Sequence, residues 1–506
     1  MNLAKLLDET AAKHSDRKAI HFEDPMVGVR ELTYGELSVA SSRCAGGLRA
    51  LGVKPGDRVA IHMPNLPQFV IAIWGILKAG GVPSPMNPQL KKREIVHQLK
   101  DSNAKIIIGL LHLIAEVDEA VKEMPNVKVI TVGGESPHMR FSQLLEAEPH
   151  FVEREDSDIA LQPYTSGTTG HPKGVLLSHG NLISNIKNVQ KIIPLSPEDD
   201  RVLIPIPMFH ITGMTVMMLV PLTSGSTIHP MLRWDAELCF ELIQKHKITN
   251  FLSVPTIYID MLNNPKIDEY DLSSLELCGS GGARMPVPIM EAYEQKFGIC
   301  IHEGYGLTET SPVTHTNMAA PERLVGSIGH PIAETECKIV DEEGKELGIG
   351  EVGELLIRGP QVMQGYHNNP EATAAAIEPD GFFHTGDTAE IDKNGYFFIV
   401  DRVKDMINVG GLNVYPKEIE HVLYEHKVVA ECAVVGVPDE RKGETVKAFI
   451  VLKADVEPTE ALAEEIKTYC LNALAAYKHP RYVEFIPQLP KTGSGKIQKY
   501  ILRDRG

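Results

Sequence analysis

The sequence predicts an α/β protein: a large N-terminal domain of layered α/β subdomains plus a β-rich subdomain, followed by a small α+β C-terminal domain. Three observations predict it. Apolar β-rich runs alternate with helix-length segments through most of the chain, the pattern of α/β layers with largely parallel sheets. From about residue 327 to 400 this gives way to short strands separated by turn residues. After residue 401 longer strands and a helix return, and the charge balance changes there too. The domain boundary is therefore placed at residue 403, giving 1–403 and 404–506.

The elements follow in order. Residues 1–16, MNLAKLLDETAAKHSD, read as a short amphipathic helix without the apolar core of a signal peptide. KIIIGL (105–110), KVITVG (128–133), RVLIPIP (201–207) and NFLSVP (250–255) read as buried strands, with a helix over 236–246. CKIVDEEGKEL (337–347), GELLIRG (353–359) and GYFFIVD (395–401) are the short strands of the β-rich part. Beyond them come VVAECAVVGV (428–437), TVKAFIVLKA (445–454), a helix over 459–476, and RYVEFI (481–486). The most apolar runs, 69–77 and 214–222, are well short of the ~18 residues a membrane span needs, so no membrane span is expected.

At 506 residues, the chain has room for roughly three domain-sized units at about 150 residues each. Its 43% hydrophobic and 23% charged residues are ordinary globular composition and exclude extended disorder. A net charge of −17 argues against nucleic acid as the main partner. The excess lies wholly in residues 1–403. Residues 404–506 are neutral, and residues 478–506 carry +5. Such a split suits an anionic ligand held at the junction, and equally an ordinary acidic enzyme with solvated lysines. Seven cysteines without a C-x-x-C pair argue against a disulfide framework and a structural zinc site. A reducing, cytoplasmic setting is expected.

The strongest chemical signal is YTSGTTGHPKG, residues 164–174. Glycines let backbone N–H groups approach phosphate oxygens, hydroxyls add donors, and Lys173 adds charge. It is not a Walker P-loop, because Pro172 precedes Lys173 and Gly174 follows it. PKTGSGKIQK (490–499) fails the same test at Pro490 and Ile497. Its chemical content is Lys496, an ammonium on a Gly-Ser-Gly loop that can reach a phosphate and a carboxylate together.

With EGYGLTET (303–310), HTGD (384–387) and DRVKDMINVGGLNVYPKEIE (401–420), these segments resemble, in the same order, the adenylate-forming superfamily and its acyl-CoA synthetase branch. The resemblance spans nearly the whole chain. It implies that a carboxylate attacks the α-phosphate of ATP, pyrophosphate leaves, and a thiol, here coenzyme A, captures the acyl-adenylate. Bringing two anions together requires cations and oriented dipoles where negative charge builds up.

By this resemblance Thr165, Ser166, Gly167, Thr168, Thr169, Gly170 and Lys173 hold the ATP phosphates, and Glu309 beside Thr308 binds Mg²⁺. Tyr305, flanked by Gly304 and Gly306, stacks on adenine, and Glu303 of the same segment is counted with them in binding the nucleotide. Gly282 and Ala283 let the backbone approach the nucleotide. Asp387 and Arg402 take the ribose, and Lys496 bridges substrate carboxylate and α-phosphate. Lys404 falls at the hinge about which the C-terminal domain moves, and Gly410 and Gly411 line a pantetheine channel. Lys478 and Arg481 are candidates for CoA phosphate contacts. Asp401 departs from the pattern, since many relatives have Gly before the Arg.

Amino-acid-activating relatives place an Asp where this chain has His210. An imidazole supplies no countercharge to an ammonium, so an α-amino acid is disfavoured, and the resemblance puts His210 at the border of the acyl pocket. Gly213, Met214, Met217 and Met218 are candidates for its wall, Met being adaptable in shape. The chain ends at Gly506 without a carrier domain, which favours CoA as acceptor. A medium- or long-chain fatty acid–CoA ligase is the expected function. An aryl-CoA ligase is the alternative, and a luciferase-like oxygenase or non-ligating relative a more distant one.

Overall fold

The computed structural model describes residues 1–165, 172–402, 405–410, 412–439, 443–493, 495–503 and 505. Its described strands form five sheets. The largest has nine strands in the order His330–Pro331, Val313–Thr316, Ile301–Gly306, Leu277–Ser280, Asn250–Ser253, Arg201–Ile204, Thr227–Pro230, Lys18–Asp24, Gly28–Thr33. Its middle, from Ile301–Gly306 to Lys18–Asp24, is parallel throughout, and antiparallel strands close both edges. A second, five-stranded sheet built around Arg58–His62 and Ile106–Leu110 is all parallel. Parallel strands need crossover helices on both faces, which is why these strands read as unbroken apolar runs.

The expected strands appear, trimmed where backbone chemistry demands. RVLIPIP pairs only over Arg201–Ile204, because the prolines that follow cannot donate to a ladder. NFLSVP pairs over Asn250–Ser253, and Pro255 then opens the helix Pro255–Asn263 from its first position. Helix Ala236–His246 falls where its periodicity placed it, capped by the Asp235 carboxylate accepting from the Leu238 N–H. The apolar run 69–77 lies in the helix Pro67–Lys78, which is buried on every side. Run 214–222 lies in a helical stretch from Ile211 to Ser224, with π-helical Thr215–Leu219 at its centre. Among the described residues, no helix is long and apolar enough to cross a membrane. All seven cysteines are free thiols.

The β-rich part is an antiparallel sheet of Glu336–Val340, Gly353–Arg358, Phe383–Ile391 and Phe397–Arg402. One hydrophobic core takes buried side chains from Leu3 through Ile399, and a separate one begins at Ile407. The second core packs the helices Pro416–Glu425 and Glu460–Ala473 on the long hairpin Val429–Asp439/Gly443–Leu452. The molecule is thus a large body of several sheets and a smaller α+β C-terminal domain.

Candidate active site

Several segments of the body and one loop of the C-terminal domain converge at one end of the large sheet. Strand Ile301–Gly306 delivers Tyr305, whose hydroxyl donates to Asp387 Oδ2 at 2.6 Å. Asp387 lies on Phe383–Ile391, directly opposite Arg402 in register, and Arg402 Nε is 3.1 Å from its Oδ1. The nearby Asp387 charge raises the Arg402 pKa above its ordinary value, so the guanidinium stays charged. Asp387 itself is buried, with a hydroxyl and a cation already on its two oxygens.

Past Gly306 the chain makes the short 3₁₀ turn Thr308–Thr310, half-burying Thr308 and burying Glu309. The Tyr366 hydroxyl donates to Glu309 Oε1 at 2.9 Å, and Lys173 Nζ stands 4.7 Å above the Tyr366 ring. Burial raises the Glu309 pKa, against the pull of Tyr366, Arg402 and Lys496. Lys173 pairs with Thr165 across two antiparallel strands. Ser166, Gly167, Thr168, Thr169 and Gly170 lie outside the described residues, as do Lys404 and Gly411.

Lys496 arrives from the C-terminal domain. Its backbone N–H donates to Thr492 Oγ1, its carbonyl accepts from Thr492 N, and Lys491 bridges to Ile497, so the lysine sits on a closed loop. That loop is docked on the body. A Cβ added at Gly493 would fall 2.6 Å from Asn87 Nδ2, and one at Gly495 3.1 Å from Thr256 Oγ1. At Gly282, where φ is +79°, an added Cβ would lie 3.4 Å from Lys496 Cε. Burial and the Arg402 charge bring the Lys496 pKa down to about 8, with Asp387 and Glu309 pulling the other way. Burial and then the Lys496 charge push the His210 imidazole to about 3, so it is neutral. Its Nδ1 accepts from the Thr212 N–H at the start of the Ile211–Met214 helix.

The structure therefore brings together Lys496, Glu309, Asp387, Arg402, Tyr305, His210 and Gly282. Ala283 is exposed beside Gly282, in the bend after Leu277–Ser280. Glu303 is turned elsewhere. Its Oε1 accepts from the Met285 N–H at 3.1 Å, its Oε2 has no partner, and burial raises its pKa to about 7. Gly410 is exposed at the tip of the hairpin Ile407–Val409/Leu412–Val414. Lys478 is ion-paired to both oxygens of Glu418 at 2.7 Å, and Arg481 is exposed.

Sequence reasoning passed over Tyr366, which braces Glu309 from 57 residues away and belongs to none of the five segments. It registered Asp401 only as a departure. The Asp401 carboxylate is fully buried, and its Oδ2 accepts from the Lys417 N–H at 3.0 Å, capping the C-terminal domain's helix Pro416–Glu425. An anion at a helix N-terminus is favourable because unsatisfied N–H groups point at it.

Behind Tyr305 and Gly282 runs a cavity of about 100 Å³. Ile192, Ile193 and Pro221 line it together with Gly304, Gly306 and Met217. Among the described residues no charged side chain faces it, and the one imidazole among them, His302, is held neutral by burial. Of the proposed wall residues only Met217 lines it. Met214 and Met218 are core, and Gly213 is needed because a Cβ there would be 2.3 Å from the Pro207 carbonyl oxygen.

Residues 7–367 match the family model described as AMP-binding enzyme, and residues 418–496 that of the AMP-binding enzyme C-terminal domain. A long-chain-fatty-acid–CoA ligase of Bacillus subtilis (strain 168) is 37% identical, covering 98% of this chain and 93% of its own. A feruloyl-CoA synthase of Amycolatopsis sp is 38% identical, covering 94% of each. The crystal structure of an anthranilate CoA ligase in complex with anthranoyl-AMP superposes with a TM-score of 0.94 at 30% identity, over 100% of this chain and 97% of that one. A lysine loop docked over a Tyr–Asp–Arg cluster, on this fold and over both matched domains, settles the family: the chain belongs to the AMP-binding enzymes, as an adenylate-forming, AMP-forming acid–CoA ligase.

Proposed function

We propose that the acid this enzyme activates is a medium- or long-chain fatty acid, converted with ATP to its acyl-adenylate and passed to CoA, in the cytoplasm. The observation that carries the reading is the cavity. It is largely apolar, without charged side chains among the described residues, and Gly282, beside which Lys496 lies, is part of its lining. An alkyl tail gains about 25 cal/mol for each Å² of apolar surface it buries there. A second carboxylate or an ammonium would enter unpaired, at a cost of several kcal/mol.

In this reading the Lys496 ammonium meets the substrate carboxylate at the cavity's inner end and holds it against the α-phosphate. With its pKa near 8, the lysine gains charge as either anion arrives. Tyr305 supplies the ring face for adenine, Asp387 and Arg402 hold the ribose, and the backbone at Gly282 and Ala283 approaches the nucleotide, as do Gly304 and Gly306. The Glu303 carboxylate, engaged with Met285, braces the turn beneath them. Thr165, residues 166–170, Lys173 and Thr308 take the β- and γ-phosphates.

The donor set around Glu309 fits Mg²⁺, which binds through one or two carboxylates together with substrate phosphates. When bound, it neutralises charge on the departing pyrophosphate. The C-terminal domain, 404–506, would turn at Lys404 after adenylation, withdrawing Lys496 and presenting Gly410 and Gly411 to the CoA arm. His210 borders the path along which the thiol reaches the acyl-adenylate.

Two of the similar proteins are named for aromatic acids, which supports an aryl acid as the second reading. The test is acid-dependent pyrophosphate release, with CoA present and absent, across saturated fatty acids of increasing length and across benzoate, coumarate and ferulate. The fatty acids should give the higher kcat/KM, rising with chain length until the cavity is filled. Higher kcat/KM for the aromatic acids would overturn the fatty-acid reading in favour of the second.

A further inference from the structure

We propose that His21, His229 and His246, with the Glu23 carboxylate, form a binding site for one divalent transition-metal ion of the zinc class, at the edge of the large sheet away from the adenylation site. One ring nitrogen from each histidine lies within 4.8 Å of the others. The fold assembles them from three elements. His21 and His229 sit on the neighbouring parallel strands Lys18–Asp24 and Thr227–Pro230, one residue beyond the registered pair Ile20 and Ile228. His246 is the last residue of the helix Ala236–His246, which returns over them, and the three ring centroids are 4.2 to 5.1 Å apart.

Three features distinguish this from a chance cluster of core histidines. First, Glu23 is two residues beyond His21 on the same strand and so on the same face. Its Oε2 is 2.9 Å from His246 Nε2 and 3.5 Å from His21 Nε2, which supplies a fourth, anionic donor. Second, His21 Nδ1 is 2.7 Å from Glu31 Oε1, and Glu31 is its registered partner on the antiparallel strand Gly28–Thr33. A carboxylate on Nδ1 holds the proton there and turns the Nε2 lone pair inward, as outer-shell carboxylates do for metal-bound imidazoles. Third, His229 is buried at 4% exposure and neither of its ring nitrogens has a partner. A buried polar group left unpaired costs about 1–3 kcal/mol.

Three imidazoles and one carboxylate suit zinc, cobalt or nickel. Mg²⁺, which prefers an all-oxygen set, is excluded, so the site does not compete for the cation that accompanies ATP. Bonds of about 2.0–2.1 Å in a tetrahedral ion require the nitrogens to close up from their present spacing, by small side-chain rotations. Both neighbouring lysines oppose the ion's charge: Lys245 is 2.6 Å from Glu23 Oε1, the oxygen turned away from His246, and Lys18 is 2.7 Å from Glu31 Oε1, which it shares with His21 Nδ1. None of His21, Glu23, His229 and His246 lines the cavity behind Tyr305, so a bound ion would tie the N-terminal strand and the 236–246 helix together without lining the acyl site.

The experiment uses untagged full-length protein, stripped with a chelator and titrated with Zn²⁺ in excess Mg²⁺, with Co²⁺ as a spectroscopic probe. One equivalent of Zn²⁺ per chain, a tetrahedral Co²⁺ visible band and a raised Tm are expected. His246→Gln should abolish the band, and Glu31→Gln should weaken binding about 10- to 100-fold. Both variants should keep acid-dependent pyrophosphate release, which reports that they are folded. No uptake by the parent protein, or an equivalent bound unchanged by both variants, would overturn the site.

Discussion

Three carboxylates at the site are buried, and each is satisfied differently. Asp387 has a tyrosine hydroxyl and a guanidinium, Glu309 has a tyrosine hydroxyl, and Glu303 has one backbone N–H and an orphaned oxygen. Burial lifts the Glu303 pKa to about 7. Its folded pKa lies above the ordinary glutamate value of 4.5, so the native state holds a proton that the unfolded state releases. Its contribution to stability is therefore present at low pH and is lost as pH rises from about 4.5 through 7. Glu303→Gln keeps the acceptor for Met285 and removes the ionisation. Its Tm should rise relative to the parent between pH 5 and pH 8, by the equivalent of at most about 3 kcal/mol. A Tm difference independent of pH would show that the carboxylate is not the source of the cost. From the sequence this residue is indistinguishable from its neighbours in EGYGLTET, because burial of one oxygen is set by Met285, 18 residues away.

At the scale of elements, the strand Ile301–Gly306 shows why that motif carries glycine. An added Cβ at Gly306 would fall 1.8 Å from the Pro312 carbonyl oxygen, where the register against Val313–Thr316 shifts. At Gly304 nothing lies nearer than 3.6 Å. Gly306→Ala should lower stability by about 1–3 kcal/mol, the usual cost of overpacking. Gly304→Ala should be close to neutral, with thermal unfolding without ligands as the measurement. Equal losses in the two variants would mean that backbone crowding is not what keeps Gly306. Strands and helices were legible wherever apolar period and turn residues agreed, as in Asn250–Ser253 followed by Pro255. The π-helical turn Thr215–Leu219 was not legible, since a single extra residue in a helix leaves the apolar pattern unchanged.

For the whole molecule, the −17 charge resides on the body, while residues 478–506 bring +5 to it, with Lys496 among them. The loop at Gly493 and Gly495 packs on Asn87 and Thr256, and the buried Asp401 caps a helix of the C-terminal domain. Under the proposed function, this arrangement delivers the lysine for the first half-reaction. Lys496→Ala should reduce acyl-adenylate formation about 100-fold or more, comparable to losing a preorganised electrostatic donor. Thioester formation from supplied acyl-adenylate and CoA should be largely retained. Equal loss of both half-reactions, measured separately, would remove Lys496 from its assigned step.

The sequence by itself determined the α/β layering, the family and the segments that the fold brings around Lys496, because backbone period and short glycine-rich segments are local properties. The tertiary structure alone decided which groups are satisfied. Tyr366 on Glu309, Asp401 at the 416–425 helix, Met285 on Glu303 and the meeting of His21, His229 and His246 all join residues far apart in the chain. Burial and pairing depend on what the fold places opposite each side chain, and one sequence read along its length carries no record of that.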